Sequence, residues 1–165
     1  DKVKMRVAVR TGTKLSAHGC DTVIFEISVN PGEPEKPLSK VASGGELSRI
    51  MLALKNVLTA GEDVGMLIFD EIDTGVSGHA AQQIGRKLSA IAKKKQTLCV
   101  THLPQIAACG AHSYRIFKHS DSEATFTSVE ELDENAKVRE IARLLGGSTI
   151  TETTLQSARE LIASS

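Results

Sequence analysis

The chain opens on a strict alternation. Val3, Met5, Val7 and Val9 are apolar, and Lys4, Arg6, Ala8 and Arg10 lie between them. This is the period-two pattern of a strand. Val23, Phe25, Ile27 and Val29 alternate in the same way. Residues 3–9 and 22–29 therefore predict two strands that can pair antiparallel. Residues 30–37 hold three of the four prolines and predict a loop. The period then changes. Leu47, Ile50, Met51, Leu54, Val57 and Leu58 recur at helical spacing, predicting a helix from near Ser43 that Gly61 ends. Residues 66–69 form an unbroken apolar run, as expected of a strand buried on both faces.

After a turn over residues 73–78, Ala81, Ile84, Leu88, Ile91 and Ala92 mark a second helix. Residues 97–101 predict the next strand and residues 104–109 a short helix. Residues 114–118 and 125–131 predict strands joined by a polar turn over 119–123. Two helices, over 136–145 and 152–163, close the chain on either side of Gly146 and Gly147. No internal repeat or low-complexity tract interrupts this order. Strand, helix, strand alternation through the middle predicts an α/β fold with parallel elements.

Composition narrows the picture. The chain has 165 residues, enough for one domain, 1–165, with its own core. Aromatics make up 3% of it, with no Trp and one Tyr, so the core must be aliphatic. Twenty basic and twenty acidic side chains cancel, and net charge gives no case for a nucleic-acid surface. Cys20, Cys99 and Cys109 are odd in number and lack C-x-x-C spacing. That argues against a disulfide framework or a zinc site and favours a reducing, cytoplasmic setting. No apolar run approaches the roughly 20 residues of a membrane helix, so no membrane is expected. The first ten residues are charged, without a signal-peptide core. The start at Asp1 rather than Met suggests a piece of something longer.

Three segments carry candidate chemistry. The first is Ala42-Ser43-Gly44-Gly45-Glu46 at the start of a helix. Adjacent glycines let backbone N–H groups approach an anion, and a helix N-terminus adds positive dipole. Ser43 and Glu46 also have the S-x-x-E spacing of a capping box, which would simply begin the helix. The second is Met66 to Glu71, MLIFDE. A buried strand there delivers two carboxylates at its C-terminal end, where α/β sheets bind ligands. Asp70 suits a hydrated Mg²⁺, and Glu71 an attacking water. A strand followed by an acidic turn is the plainer reading. The third is His102, just after a strand and on the same sheet edge, able to reach a terminal phosphate or simply to satisfy a strand end.

Taken together, the order is that of the signature motif, Walker B motif and switch histidine of ABC ATPases. The wording resembles the RecN family of SMC-like DNA repair proteins: VASGGELSRIMLALK (41–55), LIFDEIDTGVSG (67–78), CVTHLPQIA (99–107) and ARLLGG (142–147). FEISVNPGEP (25–34) is similar to the stretch before the signature in that family. The resemblance covers about residues 22–163. It implies the C-terminal lobe of an ABC-type, P-loop NTPase head: a mostly parallel sheet flanked by helices, with an added antiparallel strand pair.

By position, the resemblance implies that Ser43, Gly44, Gly45 and Glu46 contact nucleotide bound by a second head. Asp70 would be the Walker B aspartate at Mg²⁺, Glu71 the catalytic glutamate and His102 the switch histidine. Asp73 would lie in the loop along the dimer interface. ATP would be the nucleotide. No G-x-x-x-x-G-K-[ST] occurs in the chain, so the phosphate-cradling loop would come from an N-terminal head lobe beyond a long coiled coil. The implied partners are that lobe, a second identical head, and DNA through the full-length protein, in a cytoplasmic, nucleoid-associated setting. The implied work is ATP hydrolysis in double-strand break repair and recombination, with the fragment itself inactive. Two other readings stay open: a non-catalytic head-assembly module, and the head of another SMC or ABC ATPase.

Other features predict structure only. Lys93 to Lys95 end a helix at its negative dipole. Ser77 caps the following helix, and residues 130–134 form a solvated acidic turn. Cys99 and Cys109 are small buried residues. His18, His79, His112 and His119 show no ligand spacing.

Overall fold

A computed structural model of the chain describes residues 3–28, 32–40, 44–58, 64–120 and 124–165. The first unit is an antiparallel sheet of β1 (Lys4–Ser16), β2 (Gly19–Ser28) and the short β3 (Lys36–Pro37). The predicted antiparallel pair forms, with Val7 opposite Phe25 and Val9 opposite Val23. It runs longer than the alternating stretches because β1 passes an irregularity between Thr11 and Ser16 before turning at Gly19. Gly19 has φ of 93°, where a side chain is disfavoured.

Helix α1 (Gly44–Leu58) leads to β4 (Met66–Phe69), α2 (Gly78–Ala92), β5 (Gln96–Cys99) and the single-turn α3 (Pro104–Ala107). Strands β4 and β5 pair in parallel, Met66 opposite Gln96 and Phe69 opposite Cys99. The Val100 amide extends the ladder with a 3.0 Å bond to the Phe69 carbonyl. An antiparallel hairpin follows, β6 (Ser113–Ser120) and β7 (Thr125–Leu132), then α4 (Glu134–Gly146) and α5 (Glu152–Ala163).

The parallel part of the sheet is smaller than expected. Among the described residues one pair of strands is parallel, and the remaining pairings are antiparallel. A parallel pair needs a crossover between its strands, and β4–α2–β5 is the one such unit the described chain supplies.

The core lies on one side of β4 and β5. Leu52 of α1, Leu67 and Phe69 of β4, and Ala81, Ile84, Leu88 and Ile91 of α2 form one buried cluster with Ile72 and Ile106. A second joins Ala108 to Ile141, Ala142 and Ala158 of the two final helices. Close approach of α2 to the α3 turn requires Gly85, where a Cβ would stand 2.6 Å from Cys109 Sγ. Lys137 ties α4 to the same turn, its Nζ donating to the carbonyls of Ala108 at 3.1 Å and Gly110 at 2.5 Å.

Strand β4 is not buried on both faces. Phe69 is 6% exposed but its neighbour Ile68 is 67% exposed. Leu98 and Val100 are exposed as well, so α2 and α1 cover one face and leave the other apolar and open. Residues 130–134 do not form a solvated turn. Glu130 to Leu132 belong to β7, and Asp133 caps α4 by accepting from the Ala136 amide at 2.7 Å. Ser77 stands at the N-cap of α2 but makes no side-chain cap bond. Cys99 and Cys109 are half-buried. The expected helix end at Gly61 lies outside the described residues. No helix of the described residues is long and apolar enough to cross a membrane.

Candidate active site

The site is built where the sequence changes from apolar to acidic. Strand β4 ends at Phe69, and the chain turns sharply through residues 70–76. The Glu71 amide donates to Asp70 Oδ1 at 2.9 Å. The Thr74 amide donates to the Glu71 carbonyl at 3.1 Å, and the Val76 amide to the Asp73 carbonyl at 3.3 Å. Glu71 sits at φ of 55°, and no other non-glycine described residue has positive φ. A non-glycine residue held there costs on the order of 1–3 kcal/mol, a cost found where surrounding structure over-determines the backbone. Asp70 and Glu71 are both exposed, while the next residue, Ile72, is fully buried.

The N-terminus of α1 packs onto this turn. A Cβ on Gly44 would lie 2.6 Å from Glu71 Oε2, so only glycine lets the carboxylate approach. A Cβ on Gly45 would meet the Cβ and the carbonyl oxygen of Thr74, each at 2.9 Å. One turn further along, Ser48 Oγ donates to the Asp70 carbonyl at 3.1 Å, and Arg49 Nη1 donates to the Thr74 carbonyl at 2.7 Å. The glycine pair and the acidic turn are thus one structural unit, clamped by Ser48 and Arg49. Those two residues escape a motif reading. Their signal is position alone, three and four residues past the glycine pair on the same helix.

Asp73 turns inward. Its side chain is 5% exposed, and Oδ2 accepts from Thr101 Oγ1 at 2.7 Å and from the His102 amide at 2.9 Å. His102 Nδ1 lies 2.9 Å from the same oxygen, while the His102 side chain is 73% exposed. Burial pushes the Asp73 carboxyl up, but the Thr101 hydroxyl, the His102 amide and the His102 ring outweigh it and hold it below the ordinary aspartate value. Cys99, at the end of β5, feels burial and the carboxylates of Asp73 and Asp70 together, which push its thiol up to about 11.

Of the residues singled out by sequence, Gly44, Gly45, Asp70, Glu71, Asp73 and His102 gather on the turns after the parallel strands and the start of α1. Glu46 lies in the first turn of α1. Ser43 lies outside the described residues. No group of three or more His, Cys, Asp or Glu side chains able to hold a metal occurs among the described residues. That donor set does not suit a fully protein-caged ion. Asp70, exposed just past the end of β4, is a single carboxylate of the kind Mg²⁺ takes when water and phosphate oxygens complete its shell.

No protein-family model matches the chain. Similarity to individual proteins is extensive. The chain is 44% identical over 163 residues to the DNA repair protein RecN of Vibrio cholerae, covering 98% of this chain and 29% of that protein. Identity is 48% to RecN of Bacillus subtilis, covering 90% of this chain and 26% of the relative. RecN of Halalkalibacterium halodurans is 49% identical, covering 98% and 28%. The chain thus spans between a quarter and a third of the length of these curated relatives. Among solved structures, the Smc head domain with a coiled coil and joint from Pyrococcus yayanosii matches with a TM-score of 0.60 at 15% identity, over 84% of this chain and 25% of that one. An SMC ATPase described for ATP-driven dimerization and DNA-stimulated activation matches with a TM-score of 0.52 at 15% identity, over 87% of this chain and 84% of that one. In sequence the chain is similar to part of the DNA repair protein RecN, and its fold is similar to that of SMC head domains.

Proposed function

We propose that this chain is the C-terminal lobe of the ATPase head of a longer, RecN-like DNA repair protein, and that it supplies the carboxylates for ATP hydrolysis between two heads. The observation that carries this reading is the position of Asp70 and Glu71. They stand at the C-terminal end of a parallel strand, on a strained turn held against a glycine pair at a helix start. In an open α/β sheet that edge is where ligands bind.

The chemistry divides between neighbours. Mg²⁺, when bound, would neutralise charge on the phosphate oxygens. Asp70 would hold it, directly or through water, with Oδ1 oriented by the Glu71 amide. Glu71 would position and deprotonate the attacking water. His102 would approach the terminal phosphate from the end of β5. Ser43 to Glu46 would present backbone N–H groups to nucleotide on the opposing head. The phosphate-cradling loop that this chain lacks would come from the N-terminal lobe. DNA would be engaged by the full-length protein, in the cytoplasm at the nucleoid. A non-catalytic assembly module would use the same glycine pair without needing Glu71, and that difference decides between the two.

The test is single-turnover hydrolysis beside nucleotide affinity in the full-length protein. Glu71→Gln keeps shape and removes the base. Hydrolysis should fall by about 10²- to 10⁴-fold, the range for a positioned general base, with ATP binding retained. Asp70→Asn should weaken Mg²⁺-dependent binding as well. Wild-type hydrolysis by Glu71→Gln would remove Glu71 from the mechanism and favour the assembly module.

A further inference from the structure

Three donors or ring atoms converge on one oxygen, Asp73 Oδ2: the Thr101 hydroxyl at 2.7 Å, the His102 amide at 2.9 Å and His102 Nδ1 at 2.9 Å. The carboxylate is buried and the imidazole beside it is exposed. The contact is a close approach of ring to carboxylate and not an aligned ring hydrogen bond, and an ionised carboxylate, which only accepts, favours the form in which the nitrogen 2.9 Å away carries the proton. Two lone pairs at that distance would repel. The amide bond to the same residue fixes the backbone from which the ring springs, and Thr101 Oγ1 accepts from the Leu103 amide at 3.1 Å, bracing the turn from its other side. The ring therefore has its backbone anchored and its Nδ1 against a carboxylate, which leaves Nε2 as the nitrogen available to a ligand.

We infer that Asp73 is a positioning residue for His102, holding the imidazole with its proton on Nδ1 and Nε2 toward the site. The inference rests on the proposed role of His102 at a terminal phosphate, and it changes what that role requires. A neutral ring held this way offers Nε2 only as an acceptor. It can donate to a phosphate oxygen only when both nitrogens carry protons, and then the cation lies beside the Asp73 carboxylate. Asp73 thus serves the site through His102 from beneath.

The ring itself reports the first part. ¹⁵N-histidine spectra of the chain would be recorded at about pH 9, above the ordinary histidine value near 6.5, with His102 assigned by loss of its signals in His102→Gln. The Nδ1–H tautomer is expected for His102, shifting toward Nε2–H in Asp73→Asn. An Nε2–H tautomer in the unsubstituted chain would overturn the inference, whether or not the variant folds. Function reports the second part. In the full-length protein, Asp73→Asn should lower single-turnover hydrolysis by about 10- to 100-fold, the usual cost of removing an orienting partner, with nucleotide affinity kept. In a His102→Gln background it should cost nothing more, because the two act as a unit. An equal further loss there would place Asp73 in another role and overturn the inference. Wild-type hydrolysis by His102→Gln would instead remove His102 from the proposed chemistry, leaving the tautomer to judge the positioning by itself.

Discussion

At the scale of single residues, the site is governed by close approach. Gly44 and Gly45 adjoin in sequence but face different obstacles. A Cβ on Gly44 would press on the tip of the Glu71 side chain, whereas one on Gly45 would press on Thr74 at its backbone oxygen and Cβ. A carboxylate tip can swing aside and a backbone carbonyl cannot. Gly44→Ala should therefore leave thermal stability of the chain nearly unchanged yet slow hydrolysis in the full-length protein by displacing Glu71. Gly45→Ala should destabilise the chain by about 1–3 kcal/mol, as overpacking does. Paired melts and single-turnover rates check both, and equal stability losses would show that Glu71 cannot yield. The glycine pair and the two carboxylates were legible in sequence because their spacing is a motif. The inward turn of Asp73 was not. Nothing in the spelling of residues 70–78 distinguishes a carboxylate facing a partner from one bonded to Thr101, which is 28 residues away in sequence.

Among the elements, periodicity located the pieces well and burial less well. Helices α2 and α5 begin and end close to where their apolar spacing predicts, because a 3.6-residue stripe is a local property. Asp133 and Thr151 mark the starts of α4 and α5 by accepting amide bonds from within the first turn. The unbroken run of β4 misled. Four consecutive apolar residues state that a strand has two apolar faces, not that both are covered by this chain. The difference is measurable. Phe69→Ala should cost about 3–5 kcal/mol, since the ring lies in the packed cluster with Ile72 and Ile91. Ile68→Ser should change the stability of the chain by no more than about 0.5 kcal/mol, as exposed substitutions do. Denaturant unfolding of the two variants gives both values. A large cost at Ile68 would mean that its face is packed in the chain as it stands.

On the scale of the whole molecule, the chain has every candidate residue of the proposed site except the loop that cradles phosphate. The glycine pair, the acidic turn and the histidine come with it, and no G-x-x-x-x-G-K-[ST] does. That loop supplies most phosphate contacts, so calorimetry of the chain alone with Mg-ATP should show no binding in the low-micromolar range. The open apolar face of β4 and β5 and the relatives' three- to fourfold greater length fit the proposed second lobe. The central claim is that each catalytic site joins the carboxylates of one head to the glycine pair of another. Mixing two inactive full-length proteins tests it most directly. One carries Ser43→Arg, which spoils the glycine-pair side, and the other Glu71→Gln, which spoils the base. A mixed dimer then contains one site with both lesions and one with neither. With random pairing of two-fold dimers, hydrolysis should recover to about one quarter of the wild-type rate. A mixture no faster than the average of its two parents would contradict a site shared between heads.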